Sequence, residues 1–278
     1  MNWPTCCTDL KIKSIVGMRR SGRRIQTPAR TQNQLEAVKI MRNYKIYPLH
    51  LGTINRDNTN MMYMCEPGKK IDIPLIAWLI TDGKSNILVD TGGTAADGIH
   101  YMPYMQESGQ DIITQLARHE VIPEDIQIVV MTHLHWDHAG NNRLFQNAVF
   151  YTQRKELEYA VAPLAIQKNA YNYKLIFQTQ YCVLDGATQI LEGISVIETP
   201  GHSPGSQSVI VETEKGPYII VGDLIGLYAC IEHDPMIVNG LHTNLFEYYD
   251  SLNRVIASGC TILPGHDPKV LEHEAYPM

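Results

Sequence analysis

The chain has 278 residues, 44% of them hydrophobic, and a formal net charge of −6. That length buries a sizeable core, as one large or two small domains. No apolar run approaches the ~20 residues of a membrane span, and the N-terminus lacks the apolar stretch of a secretory signal. The charge is uneven: residues 1–45 carry ten Lys or Arg against Asp9 and Glu36, a net +8, which leaves −14 for the remainder. A body this acidic argues against a nucleic-acid substrate, because phosphate binding needs clustered cations.

Residues 1–30 hold Arg19-Arg20, Arg23-Arg24 and Arg30 without an apolar period. They read as a flexible basic extension, with a transit peptide as the lesser alternative. Residues 31–43 predict a short amphipathic helix with Leu35, Val38 and Met41 on one face. Residues 1–43 are therefore set apart as an extension, and residues 44–278, which lack a linker or repeat, as one domain.

Within that domain the segments 46–49, 75–80 and 86–90 predict strands, with Asp82-Gly83 a turn between the last two. Residues 112–119 and 154–161 predict helices. The apolar run 126–131 predicts a buried strand. Later strands are expected at 194–197, 208–211, 218–221 and 261–263, and a helix at 243–258. Leu245, Tyr248, Tyr249, Leu252, Val255 and Ile256 fit the inner face of that helix. The six cysteines form no C-x-x-C pair; Cys182, Cys230 and Cys260 lie in or beside apolar stretches and read as core residues. This usage points to a reducing, cytoplasmic setting rather than a disulfide framework. Residues 60–64, Asn-Met-Met-Tyr-Met, read as buried core, with a wall for an acyl chain as the alternative. Tyr101, Met102, Tyr104 and Met105 invite the same pair of readings.

Thr132-His133-Leu134-His135-Trp136-Asp137-His138 follows the strand at 126–131 and packs four metal-capable side chains into six residues. Imidazole and carboxylate suit zinc, iron or manganese. His133 and His135, two apart, share a side of an extended segment. Asp137 and His138 fall where the chain turns, so one segment can feed two adjacent ions. Further ligands belong at other strand ends, and three places fit: His202 in Thr199-Pro200-Gly201-His202, Asp223 after Gly222, and His266 after Gly265. Each follows an apolar strand and stands beside Gly, which lets the backbone turn tightly. Asp90-Thr91-Gly92-Gly93 has the same form. Five His and two Asp suffice for two ions with an Asp between them. The other His, at 50, 100, 119, 233, 242 and 273, have no ligand spacing and read as structural or surface; His233, in the segment after Asp223, could touch substrate.

In order, Leu-Val-Asp90-Thr-Gly, the H-x-H-x-D-H run, Gly-His202, Asp223 and Gly-His266 resemble the metallo-β-lactamase superfamily of hydrolases, over roughly residues 44–270. The resemblance implies an α/β four-layer αβ/βα sandwich, two mixed sheets flanked by helices, with the site along one rim. It puts one metal on His133, His135 and His202 and the other on Asp137, His138 and His266, with Asp223 bridging and Asp90 orienting a ligand from behind. Two divalent ions follow as cofactors, zinc by default, with iron or manganese as alternatives. Within the superfamily the chain is similar to the N-acyl-homoserine lactonase subgroup, for which a homodimer is the suggested assembly. Those lactonases usually carry a Tyr three residues after the bridging Asp. Here that position is Gly226, and Tyr228, displaced by two, is the candidate substitute.

The expected activity is hydrolysis of a lactone or carboxylic ester by hydroxide held between two metals, with Asp137 and Asp223 placing it and assisting proton transfer. The alternatives are a glyoxalase-II-like thioesterase and a non-catalytic metal-binding protein. The expected partner is a small lactone or ester, with neither nucleic acid nor membrane.

Overall fold

Alternation of apolar side chains along nearly every strand places one set on each face of a sheet, and here both sets are covered. The computed structural model describes residues 43–96 and 103–278. The expected helix at 31–43 lies outside these residues but for Asn43, as do the basic extension before it, Tyr101 and Met102.

The first sheet is built from β1 (Lys45–Asp57), β2 (Lys70–Thr81), β3 (Asn86–Val89), β4 (Tyr104–Met105), β5 (Ile128–Val130), β6 (Val149–Gln153) and β7 (Tyr181–Leu184), in the order β4-β1-β2-β3-β5-β6-β7. It is antiparallel from β4 to β3 and parallel from β3 to β7. The second sheet is built from β8 (Thr188–Leu191), β9 (Ile194–Glu198), β10 (Gln207–Thr213), β11 (Gly216–Ile220) and β12 (Thr261–Leu263), in the order β12-β11-β10-β9-β8, with only β11 and β12 parallel.

On β2, Ile76, Trp78 and Ile80 face one way and Ile73, Leu75, Ala77 and Leu79 the other. The first set meets Val196, Val209, Val211 and Ile220 of the second sheet in a core between the sheets. The second set packs under the helices Ile112–Ala117, Arg154–Val161 and Tyr173–Gln178. On the far side, Ile210, Ile219 and Ile262 pack with Tyr248, Leu252 and Val255 of the helix Leu245–Ala257. The layers are thus helix, sheet, sheet, helix, the expected sandwich.

β1 runs to Asp57 instead of ending at Leu49, because a bulge between His50 and Thr53 restores Ile54 to the face of Leu49 and Leu51. β6, β7 and β8, short and partly polar, were not expected. The helix Leu245–Ala257 buries a narrower stripe than its apolar pattern suggests: Tyr248, Ser251, Leu252 and Val255 are buried, while Leu245, Tyr249 and Ile256 are exposed. Residues 60–64 divide: Met61 closes the short helix Asn58–Met61 inside the core, while Tyr63 and Met64 are exposed. Of the expected core cysteines Cys230 is buried, whereas Cys182 and Cys260, like Cys65, are half-buried. Among the described residues, no helix is long and apolar enough to cross a membrane.

Trp78 is 1% exposed between the two sheets. Trp78→Ala is expected to cost about 3–5 kcal/mol in urea unfolding; a loss below about 1 kcal/mol would show that the sheets do not depend on a shared core.

Candidate metal centre

Strand ends on one rim deliver the polar residues. β5 leads through Thr132 to His133 and His135, and the short helix Trp136–Ala139 turns Asp137 and His138 back toward them. β9 leads to His202, β11 to Asp223, β12 to His266 and β3 to Asp90. All eight side chains are buried.

Two ligand groups result: His133, His135, His202 and Asp223 in one, and Asp137, His138 and His266 in the other, each offering atoms within 4.8 Å of one another. Asp223 joins them. Its Oδ1 is 2.9 Å from His266 Nε2 and 3.2 Å from His138 Nε2, and its Oδ2 is 3.3 Å from His202 Nε2. His202 Nε2 also lies 3.1 Å from His135 Nδ1.

The outer nitrogens of four of the five imidazoles are anchored. His138 Nδ1 lies 2.8 Å from Asp90 Oδ2, His202 Nδ1 2.6 Å from the Leu241 carbonyl, and His266 Nδ1 2.8 Å from the Pro74 carbonyl. His133 Nδ1 is 3.1 Å from Thr132 Oγ1, which donates to Asp90 Oδ2 at 2.7 Å; the Thr132 N–H donates to Asp90 Oδ1 at the same distance. Fixing one ring nitrogen this way selects the tautomer and aims the other inward, as metal-binding histidines require. Asp90 itself holds a left-handed φ of 61°, a conformation that costs free energy and is held here by its three partners.

Glycine beside the ligands lets the strand ends close up. At Gly222 (φ +51°) a Cβ would lie 2.8 Å from Thr132 Cβ, and at Gly265 it would lie 2.7 Å from the Gly222 carbonyl oxygen. Any side chain there would push Asp223 and His266 away from the β5 loop.

The electrostatics follow from this crowding. Burial pushes His133 and His135 well below the ordinary imidazole pKa, and the neighbouring imidazoles push the same way. Burial lowers His202 too. For His138 burial pulls down, but Asp90, Asp223 and Asp137 outweigh it and hold the ring well above its ordinary value. His266 is raised against burial by Asp223. Burial would raise Asp223, yet His266, His202 and His138 hold it well below the usual carboxylate range.

The donor set fits divalent metal ions. Nε2 of His133, His135 and His138 is buried without a hydrogen-bond partner; His138 Nε2 sits near Asp223 but out of line for a hydrogen bond. Each such orphan costs roughly 1–3 kcal/mol, and cation coordination would satisfy it. Imidazole with carboxylate is the chemistry of zinc, iron and manganese sites.

The seven expected ligand residues and Asp90 therefore come together. Tyr228 does not: its hydroxyl donates to the Ile262 carbonyl at 3.0 Å, and its ring packs beside the inter-sheet core. The expectation that Tyr228 replaces the missing Tyr is corrected on this ground; β12 supplies an acceptor that pulls the phenol away from the cluster. At Gly226 a Cβ would lie 2.4 Å from Met61 Cε, so Met61 fills the space beside it. His233 is tied to the Pro235 carbonyl at 2.8 Å, whereas His242 lies on the loop that anchors His202. Sequence reasoning missed the buried amides Gln153 and Gln207. Gln153 Nε2 donates to Gln207 Oε1 at 2.8 Å, and Gln207 Nε2 to the Met131 carbonyl at 2.8 Å. It also missed Tyr171, whose ring meets that of His135 edge-on at 4.7 Å. Nothing in their local sequence marks them, since their partners are remote along the chain.

The sequence profile of the Metallo-beta-lactamase superfamily matches residues 77–277, most of the chain. The chain belongs to the metallo-beta-lactamase superfamily. An N-acyl homoserine lactonase of Bacillus cereus is 32% identical over 190 residues, 64% of this chain and 74% of that protein. An N-acyl homoserine lactonase of Azorhizobium caulinodans is 28% identical over 253 residues, 82% of this chain and 95% of that protein. Among solved structures, a variant Bacillus thuringiensis lactonase with N-decanoyl-L-homoserine bound at its active site has a TM-score of 0.74 at 26% identity, covering 84% of this chain and 98% of the other. An N-acyl homoserine lactone hydrolase, with N-hexanoyl-L-homoserine bound at its catalytic metal center, has a TM-score of 0.73 at 25% identity and the same coverage. The chain is thus a metallo-beta-lactamase-fold hydrolase related to these lactonases, with a buried His/Asp cluster suited to metal.

Asp90→Ala is expected to weaken metal binding by about 10–100-fold, because His138 and Thr132 lose their common acceptor; an unchanged zinc titration would remove Asp90 from this role. Tyr228→Phe is expected to leave hydrolysis unchanged while lowering stability by about 1 kcal/mol. A loss of kcat in that variant, with folding intact, would return the phenol to the site.

Proposed function

We propose that the chain is a dinuclear metal-dependent hydrolase that opens a lactone ring of the N-acyl homoserine lactone type. The observation that carries this reading is Asp223, whose two carboxylate oxygens face different ligand groups. His133, His135 and His202 would hold one ion and Asp137, His138 and His266 the other, with Asp223 between them. When bound, such a pair supplies a water of lowered pKa and polarises the ester carbonyl, whichever of zinc, iron or manganese is present.

The chain's own residues supply the remainder. Asp137, 7% exposed at the turn of the H-x-H-x-D-H run, would take a proton from the attacking water and return it to the leaving alkoxide. Asp223, held anionic by three imidazoles, keeps the two halves of the site at a fixed separation. Asp90 keeps His138 oriented. The surrounding apolar core excludes bulk water from the ligand side, which strengthens each of these interactions. Ring opening of an acyl-homoserine lactone would remove a diffusible signal, the role called quorum quenching.

One observation favours a second reading. Gly226, with Met61 beside it, stands at the sequence position where such lactonases usually carry a tyrosine, and the Tyr228 hydroxyl is bonded to the Ile262 carbonyl. A thioester, whose carbonyl needs less polarisation and whose thiolate leaves readily, is the alternative substrate.

A hydrolysis panel of acyl-homoserine lactones and glutathione thioesters decides between them. Lactone opening is expected to dominate, to vanish on chelation and to return with added zinc. His135→Ala is expected to lower it by at least about 100-fold, the upper end of what losing an outer partner of a metal ligand costs. Faster thioester turnover would move the assignment to a thioesterase. Less than one metal per chain, or full activity in His135→Ala, would sink the metal-dependent reading altogether.

A further inference from the structure

Glu156 is a charged-type side chain with none of its surface exposed, and its helix otherwise carries a solvated face of Arg154, Lys155 and Glu158. Its carboxyl group is fully occupied. Oε1 accepts from the Leu134 N–H at 2.9 Å and from the Tyr171 hydroxyl at 3.1 Å. Oε2 accepts from the Ser203 hydroxyl at 2.5 Å, and the Gly205 backbone packs directly against Glu156.

The identity of these donors is informative. Leu134 stands between His133 and His135. Ser203 follows His202, and Tyr171 lies edge-on to the His135 ring. The close approach is built in: a Cβ at Gly205 would fall 2.0 Å from the Glu156 backbone nitrogen, so only glycine lets the His202 loop close on this helix. Glu156 therefore ties together the two loops that carry one ligand group, and it bonds to no residue of the other. Asp90 stands behind the other group, on His138.

We infer that Glu156 is a positioning residue for one half of the metal site, holding the His133/His135 loop and the His202 loop at the separation that one ion needs. This rests on the dinuclear reading above. The physical reason is geometric: imidazoles on separate loops keep a common focus only if the loops are fixed to each other, and a buried carboxyl with backbone and hydroxyl donors from both does so rigidly. A carboxyl that merely stabilised the fold would affect both halves alike.

The test is zinc titration of the metal-free protein against a chromophoric chelator, with near-UV circular dichroism to follow folding. The wild type is expected to take two equivalents. Glu156→Gln, which sets an amide N–H against a donor, is expected to weaken one equivalent by about 10–100-fold and to leave the other unchanged. In a His202→Ala background, already impaired in the same half, Glu156→Gln is expected to add no further loss to the surviving equivalent. Ser203→Ala and Tyr171→Phe each remove one donor and are expected to weaken the same equivalent less; they decide the matter if Glu156→Gln does not fold. Two unchanged equivalents, or equal weakening of both, overturn the positioning role. A wild type that takes one equivalent overturns the dinuclear reading itself, and this inference with it.

Discussion

A single buried carboxylate, Asp223, lies against three imidazoles, and most of the site is arranged around that contact. A buried anion is tolerated only when paired, and buried imidazoles crowd one another unless an anion or a metal lies among them. That contact, with Asp90 behind His138, holds His138 and His266 up in pKa and Asp223 down, while at His202 burial outweighs Asp223, and burial pushes His133 and His135 well down. The cluster is thus divided electrically as well as in space.

The four-layer frame makes this crowding affordable. The core between the sheets fixes β3 and β5 of one sheet against β11 and β12 of the other, and their ends carry Asp90, the His133–His138 run, Asp223 and His266. Behind the ends lies a polar layer in which Asp90, Glu156, Gln153 and Gln207 bond to backbone groups and to neighbouring polar side chains. Such a layer is rigid only if complete, since an unpaired buried polar group costs more than a hydrogen bond returns.

Much of this was legible in the residues. Near-continuous apolar runs such as 75–80 and 218–221 located the inner strands, because both faces of those strands are buried. The ligands were legible because metal chemistry restricts residue type, and because turns at strand ends leave glycine beside them. The edge strands β7 and β8 and the extension of β1 were not, because a partly solvated strand with a bulge carries no clean period. Tyr228 misled for a related reason: distance along the chain says nothing about which of two acceptors a phenol reaches.

The sequence by itself determined the kind of chemistry: a His/Asp set that suits divalent metal, and strands able to bury it. Only the tertiary structure decided that Asp90 stands behind His138, that Glu156 bonds to the loops of His133, His135 and His202, and that the phenol of Tyr228 reaches β12. Those outcomes depend on distances between residues far apart in the chain, such as Asp90 to His138 and Glu156 to Ser203. Such distances come from the packing of two sheets and are written in no local stretch of residues.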